Sequence, residues 1–344
     1  MLLPLFLCKF ANHLQIRKNN MDKRVSWIDL LRGICMLAIL LDHTELYYTG
    51  MNIINYNAYV VNALTIFFVL SGYLMYKDKQ IFDIKHKLKS IVKGLLIPYF
   101  IFTTIIALPK AFAHGNTIEF NNICTQILMG QASWFVAALC LSEFIFAIVI
   151  WITRGKLPLL FSIGVIGFCI SIYLSQGNQP YPWQLDNSMQ ALLFLSIGYT
   201  YHRYEQFFNI FNRLSSISLL FVLLVLIKIY EYMNEVNMLI WHIDINNYLL
   251  FLLDTPLCAL IMIHISKRSP RCKWLEWTGV HSLVYYFLCG GVPFIICKIF
   301  TNIGLPYNGT YLYVIVTFLL VYGITSAFTW IIYKYTPFLV GKQK

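Results

Sequence analysis

The chain has 344 residues, of which 59% are hydrophobic and only 12% charged, with a mean hydropathy of +0.66. Soluble domains carry roughly 25% charged residues, so this composition excludes a water-soluble globular protein. The net charge of +11 does not point to nucleic acid, because the basic residues fall in short clusters between apolar runs.

Residues 1–20 begin apolar, are broken by Lys9, and lack a small-residue cleavage site. "MDKRVSWIDLL" from Met21 reads as a natural start. Residues 1–20 are therefore a tail, or sequence upstream of the true start, and 21–344 form one transmembrane domain. Ten spans are expected, near 27–48, 57–76, 94–112, 134–152, 157–175, 187–202, 214–233, 247–265, 279–300 and 310–333. Runs such as "SLLFVLLVLI" (218–227) show no period-two alternation, which argues for an all-α membrane protein and against a β-barrel. The connections 113–133 and 234–246 have room for short interfacial helices. Nine scattered cysteines without a CxxC read as buried apolar side chains, and no metal site is predicted.

With the N-terminus in the cytoplasm, nineteen Lys and Arg fall inside and three, Lys110, Lys228 and Lys298, near the outer side. That asymmetry predicts an N-in, C-in topology. The outer loops include "HGNTIEFNN" (114–122), "SQGNQPYPWQLDN" (175–187) and "EYMNEVNMLIWHIDINN" (231–247), which are rich in Trp, Tyr, Asn and acid. These residue types form the aromatic belt of any membrane protein, and they also stack on and hydrogen-bond sugars.

The first span, "DLLRGICMLAILLDH" (29–43), carries Asp29, Arg32, Asp42 and His43. Eleven residues separate Arg32 from His43, which returns to within about 20° of the same helix face and about 16 Å along the axis. Asp29 lies one turn from Arg32 and can pair with it. An Arg in mid-span costs roughly 2.5–3.5 kcal/mol, so it needs a partner or a wet cavity. One reading is an Arg32–Asp29 pair that staples helices. The other is a polar track from a cytoplasmic anion site to an imidazole suited to general-base work.

"WIDLLRGICMLAILLDH" resembles the signature of the membrane acyltransferase 3 family, an Arg followed by ten residues and a His. "IFFVLSGYLMY" (66–76), "LLIPYF" (95–100), "ASWFVAAL" (132–139), "PWQLDNSMQALLFLSIGY" (182–199) and "LEWTGVHSLVYYF" (275–287) resemble further motifs of that family in the same order. The branch of fucose 4-O-acetylases looks most similar. The resemblance implies a ten-helix bacterial inner-membrane enzyme that transfers an acyl group from acyl-CoA, acetyl-CoA above all, to a glycan or lipid-linked oligosaccharide. It implies His43 as catalytic base or transient acyl carrier, with Arg32 on the donor and Asp29 holding Arg32. The loop before Pro98 offers Lys85, Lys89 and Lys93 for the CoA phosphates where the family often has two arginines. His281 and Cys289 stand where the late motif often has Asn and His.

Asp186, Trp183 and Trp134 are the expected acceptor-binding residues, with Glu119, His242 and Asp244 as further candidates. Ser71 and Gly72 are expected to let the second span approach the first. Acyl-CoA, the glycan acceptor and membrane lipid are the expected partners, with no nucleic acid and no permanently bound cofactor. The alternative is a proton-coupled secondary transporter of a small solute or sugar, in which Arg, Asp and His relay protons.

Overall fold

The computed structural model describes residues 25–78, 82–113, 120–177 and 181–341. Its helices are α1 (Ser26–Thr49), α2 (Tyr56–Met75), α3 (Ile84–Ile91), α4 (Ile97–Ala113), α5 (Phe120–Leu128), α6 (Trp134–Thr153) and α7 (Leu157–Leu174). They continue with α8 (Leu185–Arg203), α9 (Leu214–Met233), α10 (Tyr248–Arg268), α11 (Lys273–Val280), α12 (Ser282–Leu288), α13 (Gly291–Asn302) and α14 (Tyr311–Tyr335).

Among the described residues, seven stretches are long and apolar enough to cross a bilayer: α2, the continuous run Ile84–Ala107, α6, α7, α9, α10 and α14. The pair α12 and α13, bent by 43°, makes an eighth when counted together. Two expected spans, α1 and α8, have the length but are too polar to stand among them. The packing shows why they tolerate that polarity. α1 is surrounded by α2, α10, α11, α12, α13 and α14, and α8 lies against α2, α6 and α7. The outer wall is built from predominantly apolar helices: only 11% of the α9 span and 22% of the α14 span are buried, against 83% for α2.

Close crossings hold the two polar helices in place. A side chain on Gly33 of α1 would collide with the Leu275 carbonyl of α11, and one on Gly279 of α11 with the Asp29 carbonyl of α1. Gly72 of α2 meets the Leu195 carbonyl of α8, and Gly198 of α8 meets the Val69 carbonyl of α2. Small residues are what allow helix backbones to approach this closely without a hydrophobic force between them. Gly72 therefore brings α2 onto α8, not onto α1 as its sequence position suggests.

The lysine-rich stretch before Pro98 is helical rather than a loop. α3 starts at Asp83, whose side chain accepts the His86 N–H, and it runs into α4 through a π turn at Val92–Leu96 closed by Ile97 N–H on the Val92 carbonyl. Pro98 has no N–H and would clash with the carbonyl four residues back; the wider turn accommodates it without breaking the helix. Residues 113–133 do hold a short helix, α5, but 234–246 form a two-strand hairpin, β1 (Met238–Leu239) and β2 (Asp244–Ile245), with Met238 opposite Ile245. Val236, Met238 and Ile240 on one arm and Ile243 and Ile245 on the other are buried, and this period of two is a strand signature. Asn57 of α2 pins the hairpin, donating to the Val236 carbonyl at 2.5 Å and accepting the Met238 N–H at 3.2 Å.

Trp27 meets Tyr73 edge-on at 5.2 Å, and His202 Nδ1 lies 2.7 Å from the Tyr73 carbonyl. One end each of α1, α2 and α8 is thus tied together. Sixteen residues from that tie, about 24 Å along each helix, stand His43, Asn57 and Asp186. The three lie at one height in the bundle.

Candidate active site

His43 sits three-quarters of the way along α1, partly shielded, and its Nδ1 is buried without a hydrogen-bond partner among the described residues. Tyr47, one turn on, lies over the ring at 6.2 Å and is itself held by Phe294 at 5.4 Å. Arg32 and Asp29 are on the same helix at intermediate burial, with Asp29 in the first turn beside the Gly279 crossing. One face of α1 therefore carries Asp29, Arg32, His43 and Tyr47.

Cys289, just after α12, is buried and close enough to Asp42 and Tyr47 to interact electrostatically with both. Those two residues flank His43 around the α1 circumference, so the thiol belongs to the His43 side. Its Sγ lies 2.9 Å from the Tyr286 carbonyl. His281 is used differently: its Nδ1 is 2.6 Å from the Trp277 carbonyl and its ring packs on Tyr333 at 4.1 Å, so it is held in the packing.

Asp42 and Glu45 turn away from His43 and are both buried. Asn52 Nδ2 donates to Asp42 Oδ1 at 2.7 Å, and the Ile54 N–H donates to Glu45 Oε2 at 3.1 Å. These bonds fold the 50–55 connection back over the end of α1. Glu45, Tyr59 and Tyr311 lie near one another at this end.

The expected acceptor residues gather at the same end. The hairpin places Trp241 over Trp134, with ring centres 6.2 Å apart and planes within 18°, and brings His242 within electrostatic reach of Asp186. Trp183 packs on Tyr99 at 5.3 Å and Phe100 at 5.9 Å, and its backbone N–H donates to the Met129 carbonyl at 2.7 Å. It and Gln184 are consecutive left-handed residues (φ 55° and 52°), a conformation that costs non-glycine residues about 1–2 kcal/mol each. Asp244 is exposed on the hairpin and accepts from Asn237 Nδ2 at 2.6 Å; Glu119 lies outside the described residues.

Of the lysines expected at the donor, Lys85 and Lys89 are exposed on α3 and Lys93 is half-buried in the π turn. Lys87 instead makes a 2.8 Å ion pair with Glu143 of α6. At the tied end, Lys267 bridges Glu205 and Tyr201 OH at 2.7 Å each and lies 5.1 Å from the Trp27 ring. Burial raises the Glu205 pKa, but hydrogen bonds from Lys267 and Tyr73 and the Lys267 charge outweigh it, leaving the carboxyl below its ordinary value.

Sequence reasoning missed two polar groups. One is Gln184, Asn187 and Gln190 beside Asp186, visible as polar letters in "WQLDNSMQ" but set aside as an interface. The other is Lys228 with Glu231, three residues further along α9, and Asp254 of α10, a partner that only the packing reveals.

No curated protein and no solved structure shows detectable similarity to the chain. The family model of acyltransferase family 3, described as an acyltransferase domain, matches residues 25–334 and so spans nearly the whole described bundle. It lends no support to a transporter. The helix that carries Arg32 and His43, the π turn before Pro98 and the Gly279 crossing all lie within the matched residues: this chain is a membrane acyltransferase of the acyltransferase 3 family.

Proposed function

We propose that the protein transfers an acyl group, with acetyl-CoA as the expected donor, to a hydroxyl of a cell-surface or exported glycan at a bacterial inner membrane. The fucose 4-O-acetylase-like branch is the reading most consistent with its motifs. The observation that carries the proposal is a buried imidazole nitrogen with no hydrogen-bond partner among the described residues, on the α1 face shared with Arg32, inside an acyltransferase family domain. In the proposed topology all ten spans cross, both termini are cytoplasmic, and the Trp27 end faces the cytoplasm. Lys85, Lys89 and Lys93 then meet the donor phosphates from inside, as point charges. Arg32, held by Asp29, steadies the donor along the track.

At the His43 end the imidazole takes the proton of the sugar hydroxyl. The hydroxyl oxygen adds to the thioester carbonyl, the C–S bond breaks, and CoA leaves as a thiolate that is then protonated. Asp186, Trp134 and Trp183 receive the acceptor. A neutral imidazole is the competent form.

The test uses proteoliposomes with labelled acetyl-CoA and host glycan extract. His43-dependent label in the glycan supports the reading. Wild-type protein that neither binds CoA nor releases it in the presence of any glycan fraction refutes it.

A further inference from the structure

The first turns of α8 hold the densest set of unsatisfied polar atoms among the described residues. Gln184, Asp186, Asn187 and Gln190 are exposed by 1%, 6%, 2% and 3%. Among the described residues Gln184 Nε2, Asp186 Oδ1, both side-chain polar atoms of Asn187 and Gln190 Nε2 have no hydrogen-bond partner of good geometry, although Asn187 and Asp186 lie close enough to interact. Leaving such atoms unpaired in a buried site is unfavourable for each one, so a chain that retains five together has a use for them. The backbone adds to that cost, because the helix is entered through the left-handed Trp183–Gln184 pair. Strain of this kind persists where the surroundings enforce it, often at ligand sites.

The composition of the set selects the ligand. Three of the atoms are N–H donors and two are oxygen acceptors. A phosphate has only acceptors and would leave the oxygens unpaired beside the Asp186 carboxylate. An ammonium has only donors and would leave the amides unpaired. A carboxylate-bearing sugar would be repelled by Asp186. A neutral ring with adjacent hydroxyls offers donor and acceptor at every oxygen and satisfies all five. Aromatic faces stand nearby: Trp241 is stacked on Trp134, and His242 on the same hairpin lies within electrostatic reach of Asp186. Asp186 and His43 are level in the bundle, each sixteen residues from the Trp27–Tyr73–His202 tie.

We propose that Gln184, Asp186, Asn187 and Gln190 form the binding cradle for a neutral, hydroxyl-rich sugar ring, and that they select against acidic sugars. The proposal rests on the acyltransferase reading for the ring's role as acceptor, but the binding itself does not.

The test is direct binding. Protein in lipid nanodiscs is titrated with methyl glycosides of neutral hexoses, 6-deoxyhexoses and N-acetylhexosamines, and with a methyl uronoside. Tryptophan fluorescence and the melting midpoint are read. At least one neutral glycoside is expected to quench saturably and raise the midpoint, and the uronoside is not. Gln190→Leu should weaken that binding at least ten-fold while the ligand-free midpoint stays at or above wild type, since Gln190 Nε2 gives up no bond. Asp186→Asn should admit the uronoside.

A wild type blind to every neutral glycoside overturns the cradle, as does a Gln190→Leu variant that binds like wild type. Binding of a lipid-linked saccharide alone overturns the claim that the ring suffices. Glycoside binding without CoA turnover would sink the acyltransfer reading and leave the cradle standing. Turnover with Gln190→Leu kinetics equal to wild type would do the reverse.

Discussion

Lys228 of α9 reaches Asp254 of α10 at 2.8 Å, and the same ammonium donates to Glu231 at 3.1 Å and to the Asn57 carbonyl of α2 at 2.6 Å. Asn62 of α2 donates to the same Asp254 oxygen at 3.0 Å. One cation thus ties the most lipid-exposed helix to the two behind it, and through Asn57 to the hairpin. Asp254 is completely buried, so the tie cannot be undone cheaply.

Lys228→Met should therefore lower stability by about 3–5 kcal/mol, the cost of stranding buried charge. The melting midpoint and yield of purified protein report it. Met leaves two carboxylates facing each other; the double change Lys228→Met with Asp254→Asn should recover part of the loss. An unaffected single variant would show that the cluster is solvated and not structural.

His43→Ala should reduce acyl transfer by at least about 10²–10⁴-fold, the usual contribution of a positioned general base, without changing the melting midpoint by more than a few degrees. Single-turnover assays with labelled acyl-CoA separate this from a binding defect. His43→Ala with wild-type turnover would remove the imidazole from the mechanism.

The lysines near Pro98 should divide by geometry. Lys93→Ala, at the π turn, should raise the KM for acyl-CoA by about 3–10-fold, and exposed Lys85→Ala or Lys89→Ala by less, each effect fading at high salt. Lys87→Ala should act on the melting midpoint and leave KM alone, because Lys87 is paired with Glu143. Kinetics at two salt concentrations distinguish the two classes; a KM effect as large at Lys87 as at Lys93 would contradict the division.

Glu205 supplies a pH dependence. Its folded pKa is depressed, so it adds stability above its unfolded pKa, about 4.3, and that stability is lost as the pH falls through the folded value. Melting midpoints should therefore drop on acidification below about pH 4.5, and Glu205→Gln should flatten that drop. A variant as acid-sensitive as wild type would place the sensitivity elsewhere.

Much of the bundle was legible in its letters. α2, α6, α7, α9, α10 and α14 are predominantly apolar, and each was visible as a span. α1 was visible too, because the four ionisable residues of 29–43 interrupt an otherwise apolar run at helical spacing. The hairpin at 234–246 was missed because five strand-period residues are too few to outweigh a loop composition, although the alternation from Val236 to Ile240 was there. The helical state of 84–93 was hidden by the lysines, which look like a loop when their partner Glu143 is fifty-six residues away. The cradle on α8 could be suspected from Asp186, but polar letters do not reveal whether an atom is satisfied. Gly72 was read as a close-approach device, which it is, but only the packing shows that α8 is the helix it admits.

The Gly33–Gly279 crossing also bears on how the chain is made. α1 is too polar to rest in lipid by itself, and the backbone it locks against is not synthesised until some 246 residues later. At about 5–20 residues per second, roughly 12–50 s pass between the two glycines leaving the ribosome. During that interval α1 has α2 as its neighbour, and α8 joins α2 from the other side before α11 exists. α1 is thus made long before the backbone it finally packs against. A chain cut before Gly279 would leave the Gly33 side of α1 uncovered, so the final packing of α1 waits on the late part of the chain.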